Sequence, residues 1–309
     1  MSILAIAGGV GGAKLAAGLA AVLPAGELTI AVNTGDDFEH MGLTICPDID
    51  SVTYALAGMN NREKGWGVAG ETWAFMDMVG KLGGETWFAL GDRDLATHVL
   101  RTQALRGGQS LSAVVARMTA ALGIGQRLVP MSDDPVRTIV STDEGDLAFQ
   151  DYFVRRQCAP VFRAIRFDGA ERAHMAAGFA AALADPGLEA IVFCPSNPIL
   201  SIAPILSVPG VRDALMGRRV PAVALSPFIA GQAIKGPAAK IMGELGLGTT
   251  PGAVADQYDG LIDGLMVDRA DAGALDGVVV CATDTLMRDA ADQARLAREV
   301  LAFARKLAD

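Results

Sequence analysis

Ile3-Leu4-Ala5-Ile6-Ala7-Gly8-Gly9-Val10-Gly11-Gly12-Ala13-Lys14 stands at the head of the chain, and its reading decides the fold. Five apolar residues read as a short buried strand, four glycines follow within five positions, and Lys14–Leu23 carries apolar residues at helical spacing. A strand, a tight glycine turn and a helix N-terminus make an anion site. The glycines let the backbone approach a phosphate, and the first-turn N–H groups point at it. Gly8, Gly9, Gly11 and Gly12 are therefore predicted to cradle a phosphate, with Lys14 as a mobile point charge. The loop is not a full G-x-G-x-x-G fingerprint, because Lys14 holds the third glycine position. Nor is it a Walker A loop, because Leu15 replaces the metal-binding Ser or Thr.

A second strand, Leu28–Val32, ends at Asn33-Thr34-Gly35-Asp36-Asp37 and completes a β-α-β unit, the start of a doubly wound sheet. Asn33 stands where a dinucleotide site offers an acid to the ribose, which disfavours NAD. Further on, Asp50 or Ser51 is placed to cap the helix that follows Cys46-Pro47. Capping leaves unexplained four carboxylates, Asp36, Asp37, Asp48 and Asp50, within fifteen positions. Carboxylates converging near a phosphate loop suit Mg²⁺, which takes few protein oxygens alongside phosphates and water. The residues alone do not choose among the four.

From about 60 to 135 the pattern turns helical and holds Trp66, Trp73 and Trp87; Trp73 and Trp87 read as core residues. In Leu90-Gly91-Asp92-Arg93-Asp94, Arg93 follows a Gly-Asp turn and is a candidate anion clamp, and His98 pairs with Asp94 one helical turn away. Val136–Thr142 and Leu147–Val154 read as an antiparallel hairpin, continued by Val161–Phe167. The parallel pattern then returns with a helix at 171–184, the strand Ala190–Cys194, a helix at 208–216, the strand Pro221–Leu225, the strand Gly277–Cys281 and a closing helix at 288–307. The result is an α/β chain with a mostly parallel doubly wound sheet, a largely helical insertion and a small hairpin. Residues 1–60 and 168–309 form the nucleotide-binding core and residues 61–167 the insertion. Polar loops at Gly8–Gly12, Asn33–Asp37, Pro195–Pro198, Ser226-Pro227 and Thr283–Thr285 all follow parallel strands, on the edge where such sheets bind ligands.

The 309 residues allow one large domain with an insertion, and 26 basic against 35 acidic residues give −9, which argues against a nucleic-acid surface. Cys46, Cys158, Cys194 and Cys281 are too scattered for a zinc cluster or disulfide framework, so a reduced cytoplasmic interior is expected. No signal-peptide pattern and no bilayer-spanning apolar run is present, so no membrane partner is expected. No nucleophilic triad is visible around His40, His98 or His174. Chemistry by positioning and charge neutralisation is the expectation.

Taken in order, the glycine loop, Asn33–Asp37, Pro47-Asp48-Ile49-Asp50, Leu90–Asp94, Pro130-Met131-Ser132-Asp133, Phe149-Gln150, Pro195–Pro198 and Ser226-Pro227 resemble the 2-phospho-L-lactate transferase (CofD/FbiA) family over nearly the whole chain. That resemblance implies a Rossmann-like homodimer in the biosynthesis of the deazaflavin coenzyme F-420. Its members transfer a phosphorylated three-carbon acid (2-phospholactyl, phosphoenolpyruvyl or phosphoglyceryl) from a guanosine diphospho-conjugate to the ribityl hydroxyl of the deazaflavin FO, releasing GMP, with Mg²⁺. It further implies that Gly8–Lys14 hold the diphosphate while Asn33, Ser196, Asn197 and Ser226 line the nucleotide. Asp50 with Asp36, Asp37 or Asp48 would sit at the metal and the FO hydroxyl, and Trp66 and Arg93 on the deazaflavin side. The identity of the acid is left open. Two rivals are a related regulator of the gluconeogenesis-factor type, which binds nucleotide-sugars, and a nicotinamide oxidoreductase. Leu90–Asp94 and Phe149-Gln150 count against the first, Asn33 against the second.

Overall fold

The computed structural model describes residues 2–233 and 236–308. In chain order it runs β1 (Ser2–Ala7), α1 (Gly9–Val22), β2 (Leu28–Val32), β3 (Phe38–His40), β4 (Leu43–Ile45) and α2 (Pro47–Leu56). Three helices follow, α3 (Ala74–Lys81), α4 (Asp92–Arg106) and α5 (Leu111–Ala121), and then β5 (Arg127–Pro130). The strands β6 (Arg137–Thr142), β7 (Gly145–Ala148) and β8 (Phe162–Asp168) lead to α6 (Ala177–Leu183) and β9 (Leu188–Phe193). After them come α7 (Ala203–Ser207), α8 (Val211–Met216), β10 (Ala222–Leu225), β11 (Phe228–Ile229), β12 (Gln232–Ala233), α9 (Ala238–Glu244) and α10 (Pro251–Asp256). The chain closes with β13 (Gly264–Asp268), β14 (Val279–Thr283) and α11 (Ala290–Ala308).

Seven strands form one parallel sheet in the order β14-β13-β10-β9-β1-β2-β5. Its strands are apolar on both faces because helices cover both. Leu4, Ile6, Ile191 and Phe193 point into one core, and Ile3, Ala5, Val192 and Cys194 into the other. From β1 the chain moves outward through β2 to β5, then returns to place β9 on the other side of β1. That reversal opens a crevice at the carboxyl ends of β1 and β9, where open α/β sheets bind ligands.

Several expectations change in detail. Arg127–Pro130 lies within the span read as an insertion, yet it is the edge strand beside β2. The excursion therefore returns to the sheet partway through. Helix α2 starts from Cys46 with Pro47 at its first turn, so neither Asp50 nor Ser51 caps it. Leu147–Val154 does not run on as a strand: β7 ends at Ala148 and Asp151–Arg155 makes one π-helical turn. That turn brings Phe149 and Phe153 into a stacked pair, ring centroids 5.3 Å apart. The strand β8 does continue the hairpin, antiparallel to β6. β13 was not anticipated; it fills the place between β10 and β14. No helix among the described residues is long and apolar enough to cross a membrane.

Helix α1 is held between α2 and α11. Gly18 makes the second approach possible, since a Cβ there would lie 2.2 Å from the carbonyl oxygen of Gln293. Backbone cannot yield as a side-chain tip can. Gly18→Ala is expected to destabilise the protein by about 1–3 kcal/mol, read as a lowered urea midpoint. An unchanged midpoint would mean that α11 shifts freely on α1.

Candidate active site

The crevice deepens into a cavity of about 560 Å³ lined by the carboxyl-edge loops and by α2, α4 and the π-helical turn. Gly8 is extended, Gly9 takes a left-handed φ of +65°, and no side chain caps the N-terminus of α1. Gly8, Gly9, Val10 and Gly11 line the cavity. The need for glycine is steric. A Cβ on Gly8 would lie 2.7 Å from Asp48 Oδ2, on Gly11 2.4 Å from Pro195 O, and on Gly12 2.5 Å from Ser196 Oγ. The Ser196 hydroxyl donates to Gly8 O (2.8 Å) and accepts from Gly8 N–H (3.0 Å), joining the loops after β1 and β9. Asn197 Oδ1 accepts from the N–H groups of Ile199 and Leu200, fixing the turn that follows. Lys14, on α1, and Ser226 also line the cavity, and Lys14 Nζ donates to Met287 O at 3.1 Å.

Below the loop sit the carboxylates. Asp36, Asp48 and Asp50 line the cavity; Asp37 is buried behind it. Asp48 Oδ2 accepts from Asn33 Nδ2 at 2.9 Å, and Asn33 Oδ1 accepts from Gly35 N–H at 2.8 Å. Burial pushes Asp48 up to about 6, against the hydrogen bonds from Asn33 and the Gly9 N–H. Burial, and then the Asp48 charge, drives Asp36 well above the ordinary range. Asp37 rises to about 7 through burial, opposed by the Cys46 thiol and the charges of Arg137 and Arg101. Asp36 Oδ1 is buried with no hydrogen-bond partner among the described residues. Two adjacent buried carboxylates with an oxygen to spare are short of positive charge, and their all-oxygen donor set fits a hard divalent cation.

Asp50 has a different environment. Both of its oxygens face the guanidinium of Arg101, with Nη1 to Oδ2 at 3.0 Å and Nη2 against Oδ1. Asp50, Asp94 and His98 present ligand atoms within 4.8 Å of one another, a metal-like grouping by residue type. Arg101 already balances charge there: its Nη1 lies 3.4 Å from His98 Nδ1. His98 Nε2 is 3.1 Å from Asp94 Oδ2, and Tyr54 donates to Asp94 Oδ1 at 2.5 Å.

The cavity also has an aromatic lining. Trp66, Trp87, Phe88, Phe149 and Phe153 line it. Phe149 and Phe153 stack with 21° between their planes, and Arg155 lies over the Trp87 ring at 4.9 Å while pairing with Glu85 at 2.6 Å. Lys64, also on the lining, sits 4.1 Å from the Trp73 ring centroid.

Of the residues singled out from sequence, Gly8, Gly9, Gly11, Lys14, Asp36, Asp48, Asp50, Trp66, Ser196, Asn197 and Ser226 meet at this cavity. Four do not line it. Gly12 packs against Ser196 and Ala7, Asn33 holds Asp48, and Asp37 lies deeper, in contact with Cys46. Arg93 is exposed and outside the cavity lining, its guanidinium donating to Ala69 O at 3.0 Å. Trp87 belongs to the lining and not to the core. Sequence reading missed Tyr54, Lys64, Arg101, Gln150 and Phe153 as site residues. A signal existed for Arg101: Asp94, His98 and Arg101 follow the i, i+4, i+7 spacing of one helix face.

Residues 3–301 match the family described as 2-phospho-L-lactate transferase CofD. The chain is 45% identical over 319 residues to the phosphoenolpyruvate transferase of Kitasatospora aureofaciens, covering 99% of both chains. It is 41% identical over 318 residues to that of Streptomyces griseus, again with 99% of both covered. The 2-phospho-L-lactate transferase of Methanococcoides burtonii is 36% identical over 306 residues, with 97% of this chain and 99% of the relative covered. Among solved structures, a UPF0052-family protein from Bacillus halodurans shares the fold with a TM-score of 0.63 at 14% identity, covering 97% of this chain and all of that one.

The raised carboxyl of Asp37 makes stability depend on pH. The folded state keeps a proton that the unfolded chain releases, so this group's contribution falls as pH rises from 3.8 to about 7 and is flat above. In chelator-treated protein, Asp37→Asn should add on the order of 2 kcal/mol near pH 8 and less near pH 5, measured by urea unfolding. Equal stability of the two proteins near pH 8 would contradict the burial argument.

Proposed function

The chain belongs to the 2-phospho-L-lactate transferase CofD family, whose transferases act in coenzyme F-420 biosynthesis, and we propose that it carries a phosphorylated three-carbon acid from a guanosine diphospho-conjugate to the ribityl hydroxyl of FO. The observation that carries this reading is one continuous cavity lined by a glycine loop, by carboxylates and by aromatic rings. Such a space suits a diphosphate and a flat ring system at the same time. The phosphoenolpyruvyl conjugate is the donor we expect, because relatives named for that acid match at 41–45% identity.

In this reading the N-terminus of α1 and Lys14 hold the diphosphate, and Ser196, Asn197 and Ser226 border the nucleotide. The aromatic lining, Trp66, Trp87, Phe149 and Phe153, takes the deazaflavin ring by stacking. Asp36 and Asp48 are the residues that would hold Mg²⁺, on the strength of the unpartnered Asp36 oxygen. The ion supplies charge neutralisation for the phosphoryl oxygens when bound. Asp50 accepts the hydrogen bond of the FO hydroxyl and orients its oxygen toward phosphorus. The new P–O bond forms there, the bond to the GMP oxygen breaks, and the hydroxyl proton passes to the carboxylate.

Incubation with FO, Mg²⁺ and each guanosine diphospho-conjugate, followed by mass spectrometry, is expected to give the phosphoenolpyruvyl deazaflavin together with GMP. No product from any donor would overturn the reading. Asp48→Asn should cut turnover about 100-fold or more while the protein stays folded by circular dichroism. Phe153→Ala should weaken FO binding by about tenfold in a fluorescence titration, with donor affinity unchanged.

A further inference from the structure

We infer that Arg101 is a positioning residue for the transfer: its guanidinium, sealed behind the cavity wall, fixes the direction in which the Asp50 carboxylate meets the acceptor hydroxyl. The inference rests on the role given to Asp50 above. Arg101 is only 1% exposed, heads the fully buried side chains by volume, and does not line the cavity. It therefore acts through Asp50 and does not touch a substrate.

The geometry is a closed circuit of side chains. It leaves α2 at Asp50, crosses to Arg101 and His98 on α4, passes to Asp94, and returns to α2 at Tyr54, one helical turn beyond Asp50. The His98 ring stands between Arg101 and Asp94, with Nδ1 3.4 Å from Arg101 Nη1 and Nε2 3.1 Å from Asp94 Oδ2. Arg101 Nη1 also reaches Thr44 O at 3.4 Å, which ties α4 to β4 as well as to α2. A fork gripping both carboxylate oxygens leaves Asp50 no rotation that keeps both contacts. Stability alone is a poor reason for the pair, because a buried ion pair is commonly no better than well-packed apolar residues. Orientation is the property that apolar residues would not supply.

The test compares full-length Arg101→Lys, Arg101→Met, Asp50→Asn and the double variant Arg101→Met/Asp50→Asn. Each is checked by thermal melting and assayed with FO and the phosphoenolpyruvyl conjugate. Arg101→Met is expected to lower kcat about 100-fold with donor KM within about twofold, as misorientation alone can cost that much. Arg101→Lys should recover about tenfold of the loss. The double variant should be no slower than Asp50→Asn alone, because the arginine acts only through that carboxylate. Multiplying losses in the double variant, or a loss lying in donor KM, would overturn the inference. Should Arg101→Met fail to fold, the lysine variant and the double variant, both without a stranded charge, decide the matter. If the unaltered protein transfers nothing, the functional reading fails on its own. Positioning is then read from a crystal structure of Arg101→Lys, where the Asp50 carboxylate should have turned; an unmoved carboxylate refutes it.

Discussion

Everything at the site depends on how closely two loops meet. The Ser196 hydroxyl bridges the N–H and C=O of Gly8, and the Pro195 carbonyl lies where a side-chain carbon on Gly11 would have to be. That contact joins the ends of β1 and β9 across the reversal in strand order. With the loops so joined, the start of α1 points into the crevice, and Asp48 can come within hydrogen-bond reach of the Gly9 N–H. A methyl group at any of three glycines would push these parts apart.

The charge pattern follows from the same compactness. On the proposed function, a protein with a formal charge of −9 would hold an anion through backbone N–H groups and Lys14, against its overall sign. Beneath it lie carboxylates with two kinds of compensation. Asp50 is already matched by Arg101, whereas Asp36 and Asp48 share a deficit of positive charge that burial makes expensive. Two environments within a single cavity thus give chemically similar side chains different charge compensation, the basis of the separate tasks proposed for them.

The strands and the glycine loop were legible in the sequence because their signals are local: apolar runs, punctuating glycines and polar residues just beyond strand ends. The same locality explains the errors. Arg127–Pro130 carries only four residues of pattern, and its place in the sheet is set by pairing with a strand nearly a hundred residues earlier. Phe149–Val154 reads as a strand because its composition suits one, but packing of two phenylalanines against each other favours the π-helical turn. Arg93 and Arg101 lie on the same helix, and only tertiary placement shows that the first faces solvent and the second is enclosed. Asn33 follows a strand end in the sequence, and only the folded chain shows its amide holding the Asp48 carboxylate.

The strand order also governs how the molecule comes into being. β1 ends at Ala7 and its partner β2 follows from Leu28, but its other neighbour, β9, begins only at Leu188. At ribosomal speeds of roughly 5–20 residues per second, β9 emerges on the order of ten seconds after β1, and until then one edge of β1 lacks its native partner. Exposed edges of that kind recruit other strands. The nascent chain thus passes its most aggregation-prone interval before the ligand crevice exists, and a chaperone that covers this edge protects the future site by protecting the sheet.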